Sequence, residues 1–225
     1  TLYSRADNIT LTYQGQPLPF DVLERETLPG GTAISLTCEG ERETHLPPYF
    51  RWHVVLQTPL LPPVGYITVN VTDTPFARTR AAKGEAIENT VYRLTLEAGT
   101  LVLEDKRNAR RITSLFSLED CADAGDSYDF SPLAGDEPTR CAHFTLIDCS
   151  KTPLCQTMVL EAVMSLPPDL AGRRENTRTP LSMRIVCELR HDDPNLHVDS
   201  SLVNSHCDHR LRLLINSDIC TRHSL

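Results

Sequence analysis

Positive charge is in short supply in this chain. Its 22 Lys and Arg face 30 Asp and Glu, a formal net charge of -8 over 225 residues. That balance removes the electrostatic basis for a nucleic-acid or anionic-membrane partner. Long apolar runs are also missing, and nothing approaches the roughly 18 residues that a membrane-spanning helix needs. The opening residues, Thr1-Leu-Tyr-Ser-Arg-Ala-Asp7, lack a signal-peptide pattern and an initiator Met, so the chain reads as a piece of something longer. No stretch sustains a helical period with caps, which makes helix a minor component.

Catalytic signatures are equally scarce. There is no Gly-x-Ser-x-Gly, no phosphate-binding loop, no Gly-x-Gly-x-x-Gly and no His-Glu-x-x-His. Those gaps argue against a serine hydrolase, a nucleotide enzyme and a zinc protease built on these residues. Internal repeats and low-complexity tracts are absent too.

What the chain does have is alternation. Ile9, Leu11 and Tyr13 alternate with Thr10, Thr12 and Gln14, as in a half-buried strand. Phe50, Trp52, Val54 and Leu56 share one face of another strand, with Arg51 and His53 opposite. Further strands are expected at Leu18–Glu26, Ala33–Cys38 and Gly65–Val71. A hairpin is expected where Asn89–Leu96 and Thr100–Glu104 flank Ala98-Gly99. Beyond it come Ile112–Leu118, Ala142–Cys149, Cys155–Leu166, Leu181–Arg190, Leu196–Val203 and His209–Asn216. Many strands joined by turn-rich segments predict an all-β chain of antiparallel β-sandwiches. Residues 73–86 break the alternation with small and polar residues and read as a linker or crossing.

Eight Cys are present, several inside apolar strands, such as Cys38 and Cys187. They read as reduced thiols acting as small hydrophobes in a cytoplasmic protein. The sequons Asn8-Ile-Thr and Asn70-Val-Thr keep a secreted alternative open.

One stretch concentrates chemistry. Glu119–Pro132 holds four Asp, a Gly, a Pro and the aromatic pair Tyr128 and Phe130. It reads as a turn-rich loop, either a sugar-contacting surface or a solvated connection. Its carboxylates miss the spacing of a calcium loop. Asp123, Asp126 and Asp129 crowd one loop, which is weak support for the fixed carboxylate separation that glycoside hydrolysis demands. The segment His206-Cys-Asp-His209 suggests a metal cluster, but in an extended segment the two rings would face opposite ways, leaving surface histidines on a turn. On the following strand Arg210 and Arg212 share a face opposite Leu211 and Leu213. Two such cations suit a carboxylate, a phosphate or sugar hydroxyls.

Taken together, Asn89-x-x-Tyr-Arg-Leu, Leu103-Glu-Asp-Lys-Arg, Gly125-Asp-x-Tyr-x-Phe-Ser-Pro132 and Asp208-His-Arg-Leu-Arg212 resemble, in order, the C-terminal β region of glycoside hydrolase family 38 α-mannosidases. The bacterial branch that includes mannosylglycerate hydrolases is the most similar. Leu61-Pro-Pro-Val-Gly-Tyr66 is similar to a signature that closes a small β domain in that family. The resemblance implies a small β domain over 1–75, incomplete at its N-terminus, a linker over 76–86, and the first part of a galactose mutarotase-like sandwich over 87–225. It also implies that the zinc, the aspartate nucleophile and the retaining chemistry belong to an N-terminal barrel outside these residues, so that this piece alone would be inactive and bind no metal.

By the same resemblance, Tyr128 would hydrogen-bond a mannoside hydroxyl and Arg212, or alternatively Arg210, would orient substrate, with Asp126 as a further contact. Partners would be an α-mannoside, the protein's own catalytic domain and, for the parent, other copies of itself. The sequence departs from the family at Cys207 and in its Cys-containing tail. The rival reading is a free-standing carbohydrate-binding β-sandwich using Tyr128 and Phe130.

Overall fold

Period-two sequence becomes strand almost throughout. The computed structural model describes residues 1–72, 82–126 and 128–219. It is nearly all-β, 57% strand and 3% helix, in several antiparallel sheets, in keeping with the expected sandwich architecture. The chain divides into two compact units, Thr1–Arg80 with Thr152–Cys155, and Ala81–Lys151 with Gln156–Leu225. The expected linker over 76–86 lies mostly outside the described residues. In its described part, Ala82–Lys83 is a strand and Ala86 opens another.

The first unit carries β1 (Leu2–Ser4), β2 (Thr10–Tyr13), β3 (Gln16–Pro17), β4 (Phe20–Leu28), β5 (Gly31–Thr37), β6 (Gly40–Leu46), β7 (Tyr49–Leu56) and β8 (Asn70–Thr72). They form sheets ordered β1-β7-β4, β3-β2-β8 and β5-β6. Its core gathers Ile9, Leu11, Leu18, Phe20 and Trp52, with Phe50, Val54 and Leu56 packed alongside, as the alternation requires. The Arg25 guanidinium lies 4.0 Å from the Phe50 ring centre and pairs with Asp7 at 2.6 Å.

Two expected strands differ from the structure. Gly65–Val71 contributes only the short β8, and Tyr66 is exposed. β5 exists, but among the described residues it pairs only with β6, and Leu36 is 86% exposed. Alternation reports that one face is apolar; it does not supply something to bury that face against. Cys38, expected inside an apolar strand, is exposed in the β5–β6 turn.

The second unit carries β9 (Ala82–Lys83), β10 (Ala86–Glu88), β11 (Tyr92–Glu97), β12 (Thr100–Asp105), β13 (Arg110–Ile112), β14 (Phe116–Ala122), β15 (Thr139–Cys141), β16 (Thr145–Lys151), β17 (Cys155–Leu166), α1 (Leu170–Glu175), β18 (Thr179–Arg190), β19 (Leu196–Leu202) and β20 (His209–Ile215). The sheet orders are β10-β11-β12-β13, β19-β18-β17-β16-β9 and β15-β14-β20. Leu94, Phe116, Leu118, Met158, Leu160 and Ile185 meet in one core that draws on all three sheets. The expected hairpin is β11–β12, with Ala98 and Gly99 both at positive φ in its two-residue turn. Asn89, first residue of the motif before it, is a clamp. Its Oδ1 accepts from the amides of Val91 and Tyr92, while Nδ2 donates to the carbonyls of Arg190 and Asp193. Burial pushes the Cys187 thiol up to about 12, so it packs rather than reacts.

The one helix among the described residues follows Pro167-Pro168. Asp169 caps it by accepting from the Gly172 amide at 2.6 Å, and Asn176 ends it in the left-handed conformation. This helix delivers Arg173 to Asp120 of β14, a residue with no exposed surface. Arg173 Nη1 also reaches Asp136 at 3.1 Å, and His209 Nδ1 lies 2.6 Å from Asp120. Removing one member of such a buried network strands a charge without water. Arg173→Met is therefore expected to cost about 3–5 kcal/mol, measured by urea unfolding. A loss comparable to a surface substitution would mean that the network does not hold the helix.

Candidate functional site

The β15-β14-β20 sheet turns the side chains of β14 alternately inward and outward. Register pairs Glu119 with Arg212 and Cys121 with Arg210, so these four project from one face. Leu118 is buried on the other face, where Leu211 and Leu213 also pack on the core. Glu119 accepts from Arg212 and from Arg140 Nε at 2.8 Å, with Arg140 supplied by β15. The Glu119 side chain is 3% exposed, while Arg212 and Arg140 remain 44% and 69% exposed. Arg212, and after it Arg140, hold the Glu119 carboxyl below the usual carboxylate range. One buried anion thus fixes two cations whose outer surfaces stay open.

Arg210 is used differently. Its guanidinium carbon lies 3.4 Å from the centre of the Phe130 ring, a stacking contact that pins the loop to the strand. The loop is built by its aspartates. Asp123 Oδ1 accepts from the amides of Gly125 and Ser131, both at 2.9 Å, and Asp126 Oδ1 accepts from those of Tyr128 and Asp129 at 2.8 and 3.1 Å. Asp123 and Pro132 close its base as an isolated bridge. Only glycine fits at 125, because a Cβ there would sit 1.9 Å from the Asp129 carbonyl oxygen. Tyr128 stands at the tip, 92% exposed.

Of the residues expected to bind sugar, Arg210, Arg212 and the loop carrying Tyr128 thus belong to one strand-and-loop constellation. Asp126 spends one carboxylate oxygen on the turn beneath Tyr128. Sequence reasoning missed Glu119 and Arg140 as holders of Arg212; the available signal was two adjacent carboxylates in the otherwise apolar run Phe116–Ala122. The histidine expectation is corrected. His206 is buried, not on the surface, and its ring centre is 5.9 Å from that of His209. The segment before β20 is not extended, with Asp208 at φ 50, so strand alternation does not apply. His206 contacts Thr179 Oγ1 at 2.9 Å. Among the described residues, no three His, Cys, Asp or Glu are grouped to hold a metal ion.

No family model matches this chain, and no curated protein matches its sequence. Solved structures do match. An α-mannosidase from Enterococcus faecalis V583 superposes on 95% of the chain with a TM-score of 0.72 at 15% identity. A glycosyl hydrolase family 38 protein from Enterococcus faecalis does so over 95% with a TM-score of 0.68 at 14% identity. The fold is one found in family 38 α-mannosidases. The chain spans 26% and 28% of those two structures, about a quarter of their length.

The loop has a defined acid response. Backbone amides, those of Ser131 and Gly125 for Asp123 and those of Tyr128 and Asp129 for Asp126, hold both carboxyls below their ordinary 3.8. A depressed folded-state value means that the loop's carboxylate bonds are fully present above about pH 4 and lost as pH falls through the depressed values. Hydrogen exchange should show the Tyr128 and Asp129 amides protected at neutral pH and opening in acid. Asp126→Ala, which removes the acceptor, should weaken that protection at neutral pH; unchanged exchange would remove Asp126 from the turn.

Proposed function

We propose that this chain is the C-terminal β region of a retaining, zinc-dependent α-mannosidase, in the bacterial branch that includes mannosylglycerate hydrolases. The observation that carries the reading is the fold match over 95% of the chain to an α-mannosidase of which it spans 26%. The ordered motifs from Asn89 to Arg212 support it independently. In this reading the second unit is the first part of a galactose mutarotase-like sandwich that scaffolds the catalytic barrel. Zinc and the aspartate nucleophile would come from that barrel, outside the present residues, and this chain alone would be inactive.

The chain's own contribution would be a pocket wall. Tyr128 offers a phenol at the tip of a loop made rigid by Asp123 and Asp126. Arg212 offers N–H donors on an arm held by Glu119, so little side-chain entropy remains to be lost when a sugar hydroxyl or a carboxylate arrives. Arg210 stacks on Phe130 and supports the loop, and its N–H groups would be the alternative donors to the substrate. The parent would work in the cytoplasm on α-mannosides.

Turnover of an aryl α-mannoside by the full-length protein tests this. Tyr128→Phe should lower kcat/KM by about tenfold or more, the loss of one transition-state hydrogen bond. Unchanged turnover would make the loop purely structural. A free-standing binding module would instead bind mannosides tightly as the isolated chain, and Tyr128→Ala would abolish that binding.

A further inference from the structure

The first unit carries an aromatic cleft that is separate from the Tyr128 loop. Tyr3 of β1 and Tyr49 of β7 lie with ring centres 6.1 Å apart and planes tilted by 55°. They are 61% and 38% exposed, a considerable aromatic surface left in water. With Ser4, Arg5, Leu46 and Pro47 they line a cleft of about 300 Å³, at the small end of ligand sites. The shape is built in. Gly30 lies so close to the turn after β6 that a Cβ would sit 2.1 Å from the Leu46 carbonyl oxygen and 2.8 Å from the Pro47 carbonyl carbon. Register places Arg51 opposite Tyr3, and the Arg51 guanidinium pairs with Glu26. The wall is set before any ligand arrives.

The polar groups in the cleft point to one chemistry. Arg5 is exposed and has no hydrogen-bond or ion-pair partner among the described residues, although the chain as a whole is acidic. The other polar groups are two phenols and the Ser4 hydroxyl, and no carboxylate lines the space. Donors beside tilted aromatic faces suit a ligand that is rich in acceptors and has one apolar face. A pyranose ring fits that description: its C–H face packs on a tyrosine while adjacent hydroxyls accept from Arg5. A basic peptide would find no anion here.

We propose that Tyr3, Tyr49 and Arg5 form an accessory pyranoside-binding site on the first unit. The site does not depend on the mannosidase reading, because it uses none of the residues assigned to that pocket. Binding by one ring and a few hydrogen bonds is expected in the millimolar range.

The test is an NMR titration of the 225-residue chain, with labelled tyrosines, against methyl α-D-mannopyranoside, methyl α-D-glucopyranoside and a proline-rich peptide. Saturable shifts of the Tyr3 and Tyr49 rings by a pyranoside, with Tyr128 unmoved, are expected. Arg5→Met, which removes a side chain with no described partner and should leave the fold intact, should weaken binding about tenfold. Tyr49→Phe should bind nearly as well as the parent if the ring face dominates. The proposal is overturned if no pyranoside shifts these rings, if Arg5→Met binds as well as the parent, or if the peptide binds in preference to the sugars.

Discussion

Two neighbouring carboxylates on β14 point in opposite directions, and the candidate site depends on both. Asp120 faces inward and is met by Arg173 and His209, which tie the only described helix and the start of β20 to the sheet. Glu119 faces outward and is met by Arg212 and Arg140. A strand cannot change the direction of one without changing the other, because successive side chains alternate. The inward pair therefore sets the register that presents the outward arginines. Charges this deep are costly to bury and tolerable only when paired, which makes the local geometry narrow in its alternatives.

Around that strand the loop's aspartates have become architectural. Four aspartates in fourteen residues suggest chemistry, yet Asp120 is buried in an ion network and Asp123 and Asp126 hold backbone amides. What they leave outside is Tyr128, raised on a turn whose backbone bonds are already satisfied. Phe130 and Arg210 close the loop against β20. The chain spans about a quarter of the length of the α-mannosidase structures that share its fold.

The two units differ in how completely they bury themselves. The second has one continuous core. The first leaves the β5–β6 hairpin, Tyr3 and Tyr49 in solvent, although an isolated two-stranded hairpin is marginal in water. That contrast is the physical reason to look for ligands on the first unit as well as on the acidic loop.

By itself the sequence determined strand against helix, the positions of most strands in the second unit, the shared face of Arg210 and Arg212, and the turn-rich character of 119–132. All of these are local: side-chain period, turn residues and β-branched content act over a few positions. Only the tertiary structure decided which carboxylate meets which arginine, since Glu119 and Arg212 are far apart in sequence and their pairing depends on sheet register. It also decided that β5 finds no core, that His206 is buried beside His209, and that Arg140 joins the site. Each of those outcomes depends on what another segment places opposite, which no local pattern encodes.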